Sequence, residues 1–86
     1  MVNITNVDLN VMYSNHDNKY SISVPGVPGD KVQVKAEDAS VKRRQGLWII
    51  NPNDNAKAVT VSVLAEINGK MQTMGVYKYR VENNQN

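Results

Sequence analysis

In the last third of the chain, apolar and polar residues alternate in a pattern that is compatible with few folds. Apolar residues occupy every second position there: Val59, Val61, Val63, Ala65 and Ile67. Because successive side chains of a β-strand point to opposite faces, the pattern predicts a strand with one buried face. Asn68 and Gly69 follow directly, and both residue types tolerate the positive φ angles of a type I′ turn. The sequence therefore predicts a tight hairpin at this point.

The same alternation recurs along the chain and predicts about seven strands. The segments are 7–13, 20–24, 32–36, 41–44, 47–50, 59–67 and about 71–81. In the first segment Val7, Leu9, Val11 and Tyr13 share one face. Gly75, within the last segment, predicts a bulge or a close approach of the backbone. Short strands separated by turns, without a helical period, are typical of sandwiches. We therefore expect an all-β fold, an immunoglobulin-like β-sandwich of about seven antiparallel strands.

Two Pro-Gly pairs follow the second predicted strand, Pro25-Gly26 and Pro28-Gly29. Proline removes a ladder donor and glycine permits a bend, so the strand must end there. Pro28 fixes its own φ and Gly29 is free to take a positive φ, which sets a second turn. We predict that this stretch is a corner, where the chain leaves one sheet and enters the other.

Length and composition limit the remaining possibilities. With 86 residues, we expect one domain over 1–86, with a polar tail at 82–86. The absence of cysteine excludes disulfides and Cys-based metal or redox sites. Ten basic and eight acidic residues are too evenly spread for a nucleic-acid-binding domain. No apolar run is long enough to span a bilayer, so we expect no direct membrane contact by this domain.

Catalytic and metal-binding patterns are weak. His16, the single histidine, lies between Ser14 and Asp17, but adjacent residues of a polar turn seldom point at one another, and nothing supplies an oxyanion hole. The oxygen-rich segment 51–55 lacks the spacing of a calcium loop. The sequence thus predicts no catalytic residue, no cofactor and no metal site.

One basic run and one aromatic pair are open to two interpretations each. Lys42, Arg43 and Arg44 alternate between faces in a strand, which favours a charged edge strand over a patch for phosphate or an acidic partner. Tyr77 and Tyr79 share a face and could stack on a sugar, although such pairs more often lie at the margin of a core.

Short motifs in a fixed order cover most of the chain. They are Asn10, Val11 and Tyr13; Asp17-Asn18; Ile22-Ser23-Val24; Gly26-Val27-Pro28; Lys31-Val32-Gln33-Val34; Gly46 to Pro52, which contains the aromatic residue Trp48; and Met74-Gly75 followed by Tyr79-Arg80-Val81. In this order they resemble the immunoglobulin-like periplasmic repeats of the GldM/PorM family of gliding-motility and type IX secretion proteins.

The resemblance implies a non-enzymatic structural and protein–protein interaction domain. Family members form periplasmic shafts, anchored in the inner membrane, that couple an inner-membrane motor to the outer-membrane part of the type IX secretion and gliding machinery. It implies protein partners from that machinery and a homodimer in the full-length protein. It also implies that the domain over 1–86 is excised from a longer multi-domain protein. Terminal strands can pair between copies without disturbing the middle of a sandwich. The possible interface residues are Val7, Leu9, Val11, Tyr13, Tyr77, Tyr79 and Val81.

A carbohydrate- or adhesin-type binding module on the same sandwich is the main alternative, because a fold does not determine function. It would need Trp48, Tyr77 and Tyr79 on an exposed face. An accessory domain of a surface hydrolase is a third alternative, and this function would require no recognisable motif in the sequence.

Overall fold

A computed structural model describes residues 2–5 and 11–83 of the chain. Within them the chain forms eight strands and one 3₁₀ turn, Gly29–Lys31. The strands are β1 (Asn3–Thr5), β2 (Val11–Tyr13), β3 (Asn18–Ser23), β4 (Val32–Glu37), β5 (Ala39–Arg44), β6 (Leu47–Pro52), β7 (Ala58–Ile67) and β8 (Lys70–Glu82). Sheet 1 has the order β1-β3-β6-β5 and sheet 2 the order β2-β8-β7-β4. The predicted all-β sandwich is confirmed, with the immunoglobulin-like division of strands between sheets.

The first part of the chain differs from the prediction in two ways. It contributes a strand to each sheet, and β2 runs parallel to β8, with Val11 opposite Arg80, so the pairing is not antiparallel throughout. Met12, which is 0% exposed, points into the core, whereas Val11 and Tyr13 lie on the other face. The pairing with β8 decides this, because Met12 stands opposite the inward-facing Val81. Residues 7–10 of the predicted first strand lie outside the described residues.

The hairpin between β7 and β8 has a two-residue loop. Asn68 and Gly69 have φ angles of 54° and 79°, both positive as a type I′ turn requires. Further along, the register shifts so that Leu64 faces Thr73 while Val63 faces Gly75, which leaves Met74 as the additional residue. The predicted bulge at Gly75 is thereby confirmed.

The Pro-Gly stretch connects β3 in sheet 1 to β4 in sheet 2. The Val27 N–H donates to the Val24 carbonyl at 3.0 Å, and Gly26 has φ 81°, which together define a type II turn. The 3₁₀ turn follows at once, with the Lys31 N–H donating to the Pro28 carbonyl at 2.9 Å. The stretch is therefore a corner, although Gly29 does not use a positive φ as we expected.

The core lies between the inner faces of the two sheets. The aromatic rings of Tyr20 in sheet 1 and Tyr79 in sheet 2 meet across it, with centroids 5.6 Å apart. The buried residues that form it are Met12, Tyr20, Val24, Val32, Val34, Trp48, Ile50, Val59, Val61, Val63 and Tyr79. Burial of this apolar surface is the main source of stability in a chain that has no disulfide.

The described chain enters and leaves the sandwich at opposite ends. The molecule is 44 Å long and about half as wide. Asn3 lies opposite Ser23, where β3 ends at the corner. Glu82 lies opposite Tyr13, next to the start of β3 at Asn18. The start of β1 and the end of β8 therefore lie about one strand length apart, at opposite ends of the sandwich.

Candidate interaction surface

Strands β2 and β8 lie side by side at the end where the described chain leaves the sandwich. In the parallel pair, Val11 is opposite Arg80 and Tyr13 is opposite Glu82. The Ser14 N–H extends the pairing by donating to the Glu82 carbonyl at 2.9 Å. Strand β2 thus forms an edge of sheet 2, and β8, the last strand, lies directly inside it.

The residues predicted for the interface fall into three groups. Val11 and Tyr13 are half-buried and lie on the face away from the core. Tyr77 and Val81 are half-buried and pack against the core, and Tyr79 is only 3% exposed. Val7 and Leu9 lie outside the described residues. Among the described members of the set, Val11 and Tyr13 are therefore the two that lie on an outer face.

Trp48 is held inside the sandwich and does not form a sugar platform. Its ring is 9% exposed, and the Arg43 guanidinium lies 4.9 Å from the ring centroid. Arg43 also donates through Nη1 to the Gly29 carbonyl at 3.0 Å, so one side chain joins β5, β6 and the corner. Since Trp48 and Tyr79 are buried on inner faces, the exposed aromatic platform required by the binding-module alternative is not present.

Asn18 is a buried polar residue that the sequence reasoning missed. It is 5% exposed, and its Oδ1 accepts a hydrogen bond from the Tyr13 N–H at 3.0 Å. Its Nδ2 donates to the carbonyls of Tyr13, His16 and Ile50 at 3.0, 3.1 and 3.0 Å. It ties β2 and the following loop to sheet 1. Its setting in the polar segment 14–18 predicted an ordinary turn, and no local signal distinguishes it.

The segment that contains His16 does not bring a catalytic set together. Asp17 Oδ1 accepts a hydrogen bond from Asn51 Nδ2 at 3.0 Å, across to the end of β6. The His16 ring meets the edge of the Tyr13 ring, with centroids 6.4 Å apart. In the part of the chain that the structure describes, no three His, Asp or Glu side chains lie close enough together to hold a metal ion.

The pKa of the Tyr79 phenol departs from its ordinary value. Burial raises the pKa of its phenol, and the neighbouring Tyr77 raises it further. Burial disfavours the phenolate because the charged form loses its hydration. Tyr79 therefore stays protonated inside the core to a higher pH than a free tyrosine.

The basic run lies on β5, at the edge of sheet 1, as predicted. Lys42 is in register with Ile49, Arg43 with Trp48 and Arg44 with Leu47. Arg43 lies on the same face of β5 as its partner Trp48 and remains exposed, so Lys42 and Arg44 share the outer face of the sheet. Charged side chains at such an edge discourage pairing with a foreign strand.

Comparison with known proteins agrees with this architecture. The family model described as the GldM third domain matches residues 1–82, a range that includes all eight strands of the described structure. The search of curated proteins gives no match. Across residues 2–5 and 11–83, no helix has the length and apolar character needed to cross a membrane. On the strength of a match that covers nearly its whole length, the chain belongs to the GldM third-domain family.

Proposed function

We propose that the chain is a non-catalytic structural and interaction domain of a GldM/PorM-like periplasmic shaft. The parent protein would be anchored in the inner membrane and would couple an inner-membrane motor to the outer-membrane part of the type IX secretion and gliding machinery. The observation that carries the proposal is the family match over residues 1–82.

The path of the chain supports a role in a linear array. In a shaft made of domains in series, the chain must enter each domain at one end and leave it at the other. Here Asn3 lies at the end of the sandwich that holds the corner, and Glu82 lies at the opposite end. Domains joined in this way extend the shaft by about the length of one sandwich each, and this one is 44 Å long.

The long β7–β8 hairpin supports stiffness along the same axis. The two strands stay paired from Ala58 opposite Arg80 to Ile67 opposite Lys70. The inward side chains of β7 are almost completely buried, including Val59 and Val63 at 0% exposed. A ladder anchored in this way resists bending, since bending would separate side chains that are close-packed in the core.

Protein partners and a homodimer are part of the proposal. Val11 and Tyr13 are the described members of the predicted interface that lie on the outer face of sheet 2, so we place the contact between copies there. Contacts in a shaft are distributed over several domains, and interfaces below about 1,200 Å² are commonly transient. We therefore expect residues 1–86 alone to be a monomer or a weak dimer, and a longer piece with both neighbouring domains to dimerise more tightly. Sedimentation of both proteins measures this, and a longer piece that remains monomeric at high concentration would contradict the homodimer.

A domain replacement in the parent protein tests the function. Residues 1–82 would be exchanged for an unrelated immunoglobulin-like sandwich of similar length, so that spacing is kept while specific surfaces are lost. We expect the amount of the parent protein to be unchanged and type IX secretion and gliding to be lost. The control reinserts the original domain at the same junctions. Normal secretion with the foreign sandwich would show that the domain serves only as a spacer, and would contradict its role in interaction.

A further inference from the structure

We propose that β4, at one edge of sheet 2, accepts an extended segment of a partner protein as an added antiparallel strand. The segment has β-branched apolar side chains on one face and, on the other face, charges in the order Lys-x-Glu, where x is one of the apolar residues. The site, here called the β4 edge, is the side of Val32–Glu37 that faces away from β7. The inference does not depend on the proposed shaft function.

Protection is unevenly distributed over the four edges of the two sheets. In the described structure β1 and β2 have three residues each, and β5 contains the basic run from Lys42 to Arg44. Short length and charge are two devices that keep sheet edges from pairing. β4 has six residues without a proline, and the charge of Lys35 is balanced by that of Glu37. Its register with β7 is unbroken, whereas the β7–β8 ladder contains a bulge. The β4 edge is therefore the regular and least protected one.

Hydrogen bonds elsewhere in sheet 2 show which backbone groups face the β4 edge. The Val81 N–H donates to the Lys57 carbonyl at 3.0 Å, so Lys57 directs its backbone groups towards β8. Because these groups alternate sides along a strand, Ser62 directs its own towards β4, where its partner is Lys35. Lys35 is therefore bonded within the sheet, and its two neighbours on β4 point the other way.

Val34 and Ala36 are these two neighbours, and their N–H and C=O groups face the β4 edge. The Val32 N–H agrees with this alternation, because it donates to the Gly29 carbonyl instead of to β7. An antiparallel strand that adds here exchanges both bonds with Val34 and with Ala36, which gives about four backbone hydrogen bonds.

The inner side of the β4 edge is apolar. Val34 is 7% exposed, whereas Ala36 is only half-buried. On the other sheet, Ala39 and Val41 of β5 are half-buried as well and pack against the core. The inward side chains of an added strand would cover this margin of the sandwich and extend its core, so apolar residues fit there.

The outer side of the β4 edge selects charge. Lys35 and Glu37 are exposed, and neither forms an ion pair with a described residue. In an antiparallel partner, the residue opposite Glu37 comes two positions before the residue opposite Lys35. Opposite charges at directly paired positions stabilise a ladder, and like charges destabilise it. The partner therefore reads Lys-x-Glu at these positions.

A second copy of β4 offers the same charges but a shorter pairing. Lys35 and Glu37 of two antiparallel copies match each other when the copies are centred on Ala36. In that register Asp38 would stand opposite Val34, and Asp38 has φ 63° and lies beyond the end of β4. Only the three residues 35–37 of each copy would pair, so the β4 edge favours a longer strand from a different protein.

Hydrogen exchange measured by nuclear magnetic resonance tests the proposal. The probe is an acetylated, amidated peptide, Lys-Val-Glu-Val-Thr-Val, whose first and third residues would stand opposite Glu37 and Lys35. The control peptide, Glu-Val-Lys-Val-Thr-Val, has the same composition but places like charges at both positions. We expect the probe to slow the exchange of the Val34 and Ala36 amides, and to leave the exchange of the Lys35 amide, which β7 already protects, nearly unchanged. The probe should bind about fivefold or more tightly than the control peptide.

Exchange of the two charges on β4 is the matched variant. Lys35→Glu with Glu37→Lys should reverse the preference, so that the control peptide binds about fivefold or more tightly than the probe. Lys57→Asp with Asp54→Lys makes a similar exchange in the loop between β6 and β7 and should leave the preference unchanged. Ala36→Pro removes one N–H that faces the β4 edge, a position where an edge strand tolerates proline, and should weaken binding of the probe by about tenfold or more. If the proline variant does not fold, the charge exchange on β4 decides the question.

Several results would overturn the proposal. They are the absence of binding at the highest soluble peptide concentration, equal binding of the two peptides, and an unchanged preference after the charge exchange on β4. Protection that appears in other strands and not at Val34 and Ala36 would place the peptide elsewhere. Protection of these two amides by a rise in protein concentration alone would assign the β4 edge to a second copy of the chain.

Discussion

The side-chain amide of Asn18 donates to the carbonyl oxygen of Ile50 at 3.0 Å inside the core, although the two residues are 32 positions apart in sequence. They are also paired across β3 and β6. The same amide group donates to the carbonyls of Tyr13 and His16, so it joins the entry of β3 to both β2 and β6. A buried polar group of this kind stabilises a fold only while all its partners are present.

Asn18→Ala should therefore destabilise the domain well beyond an ordinary polar substitution. It leaves the Tyr13 N–H and several carbonyls without their partner, and each buried unsatisfied group costs about 1–3 kcal/mol. We expect a loss of about 2–4 kcal/mol in the free energy of unfolding, measured by urea denaturation. Asn53→Ala, at an exposed asparagine in the loop after β6, is the matched control and should change stability by less than about 0.5 kcal/mol. Equal effects of the two substitutions would show that the buried contacts contribute nothing.

Gly69→Val should destabilise the hairpin through the backbone alone. Gly69 has φ 79°, and a Cβ atom there would have no atom within 4 Å beyond its chain neighbours, so the Cβ itself meets no steric crowding. A β-branched residue at positive φ is strained, and we expect a cost of about 1–3 kcal/mol. Gly69→Asn is the control, since asparagine tolerates positive φ and should cost less. An unchanged melting temperature for the valine variant would mean that the turn relaxes to another type.

Gly75 and Tyr77 should show energetic coupling. A Cβ atom on Gly75 would lie 2.5 Å from the Tyr77 hydroxyl and 2.8 Å from its ring. Gly75→Ala must push the ring aside, and overpacking of this kind costs about 1–3 kcal/mol. In a Tyr77→Ala background the same change should cost less, giving a coupling energy of about 0.5 kcal/mol or more in a double-mutant cycle. Strict additivity of the two substitutions would contradict the contact.

Stability should fall in alkaline solution because the pKa of Tyr79 is raised above its ordinary value of 10.0 by burial and by Tyr77. Between the unfolded and the folded pKa, the unfolded chain has lost the Tyr79 proton while the folded chain keeps it. The folded state then binds more protons, so stability decreases as pH rises, by at most about 1.4 kcal/mol per pH unit for this group. Below the unfolded pKa the contribution is constant.

Tyr79→Phe isolates this effect. The variant lacks the ionisable phenol, so its stability should decrease less steeply above pH 10 than that of the unchanged protein, as measured by urea denaturation at a series of pH values. Phenolate absorbance should show the corresponding late-titrating group only in the unchanged protein. Parallel stability curves for the two proteins would contradict the raised pKa.

Strands with strong local patterns could be predicted from the sequence. On β7 a single alternating face, including Val59, Val61 and Val63, leaves one way to bury the strand. Asn68-Gly69 places a turn through the backbone freedom of its own two residues. The corner at Pro25 and Gly26 could be predicted in the same way, because proline lacks the N–H that a strand donates to its neighbour. In each case the cause lies within a few residues of its effect.

Only the tertiary structure decided the features that depend on residues distant in sequence. Met12 turns inward because β2 pairs with β8, and the exposed Arg43 lies over Trp48 because β5 pairs with β6. Lys19 and Lys42 flank Ile49 on one face only because β6 lies between their strands. In the sequence Asn18 resembles an ordinary turn asparagine, and only the folded structure places three carbonyls around its side-chain amide. Alternation fixes which side chains share a face, whereas strand pairing decides which face is buried and which neighbours each side chain meets.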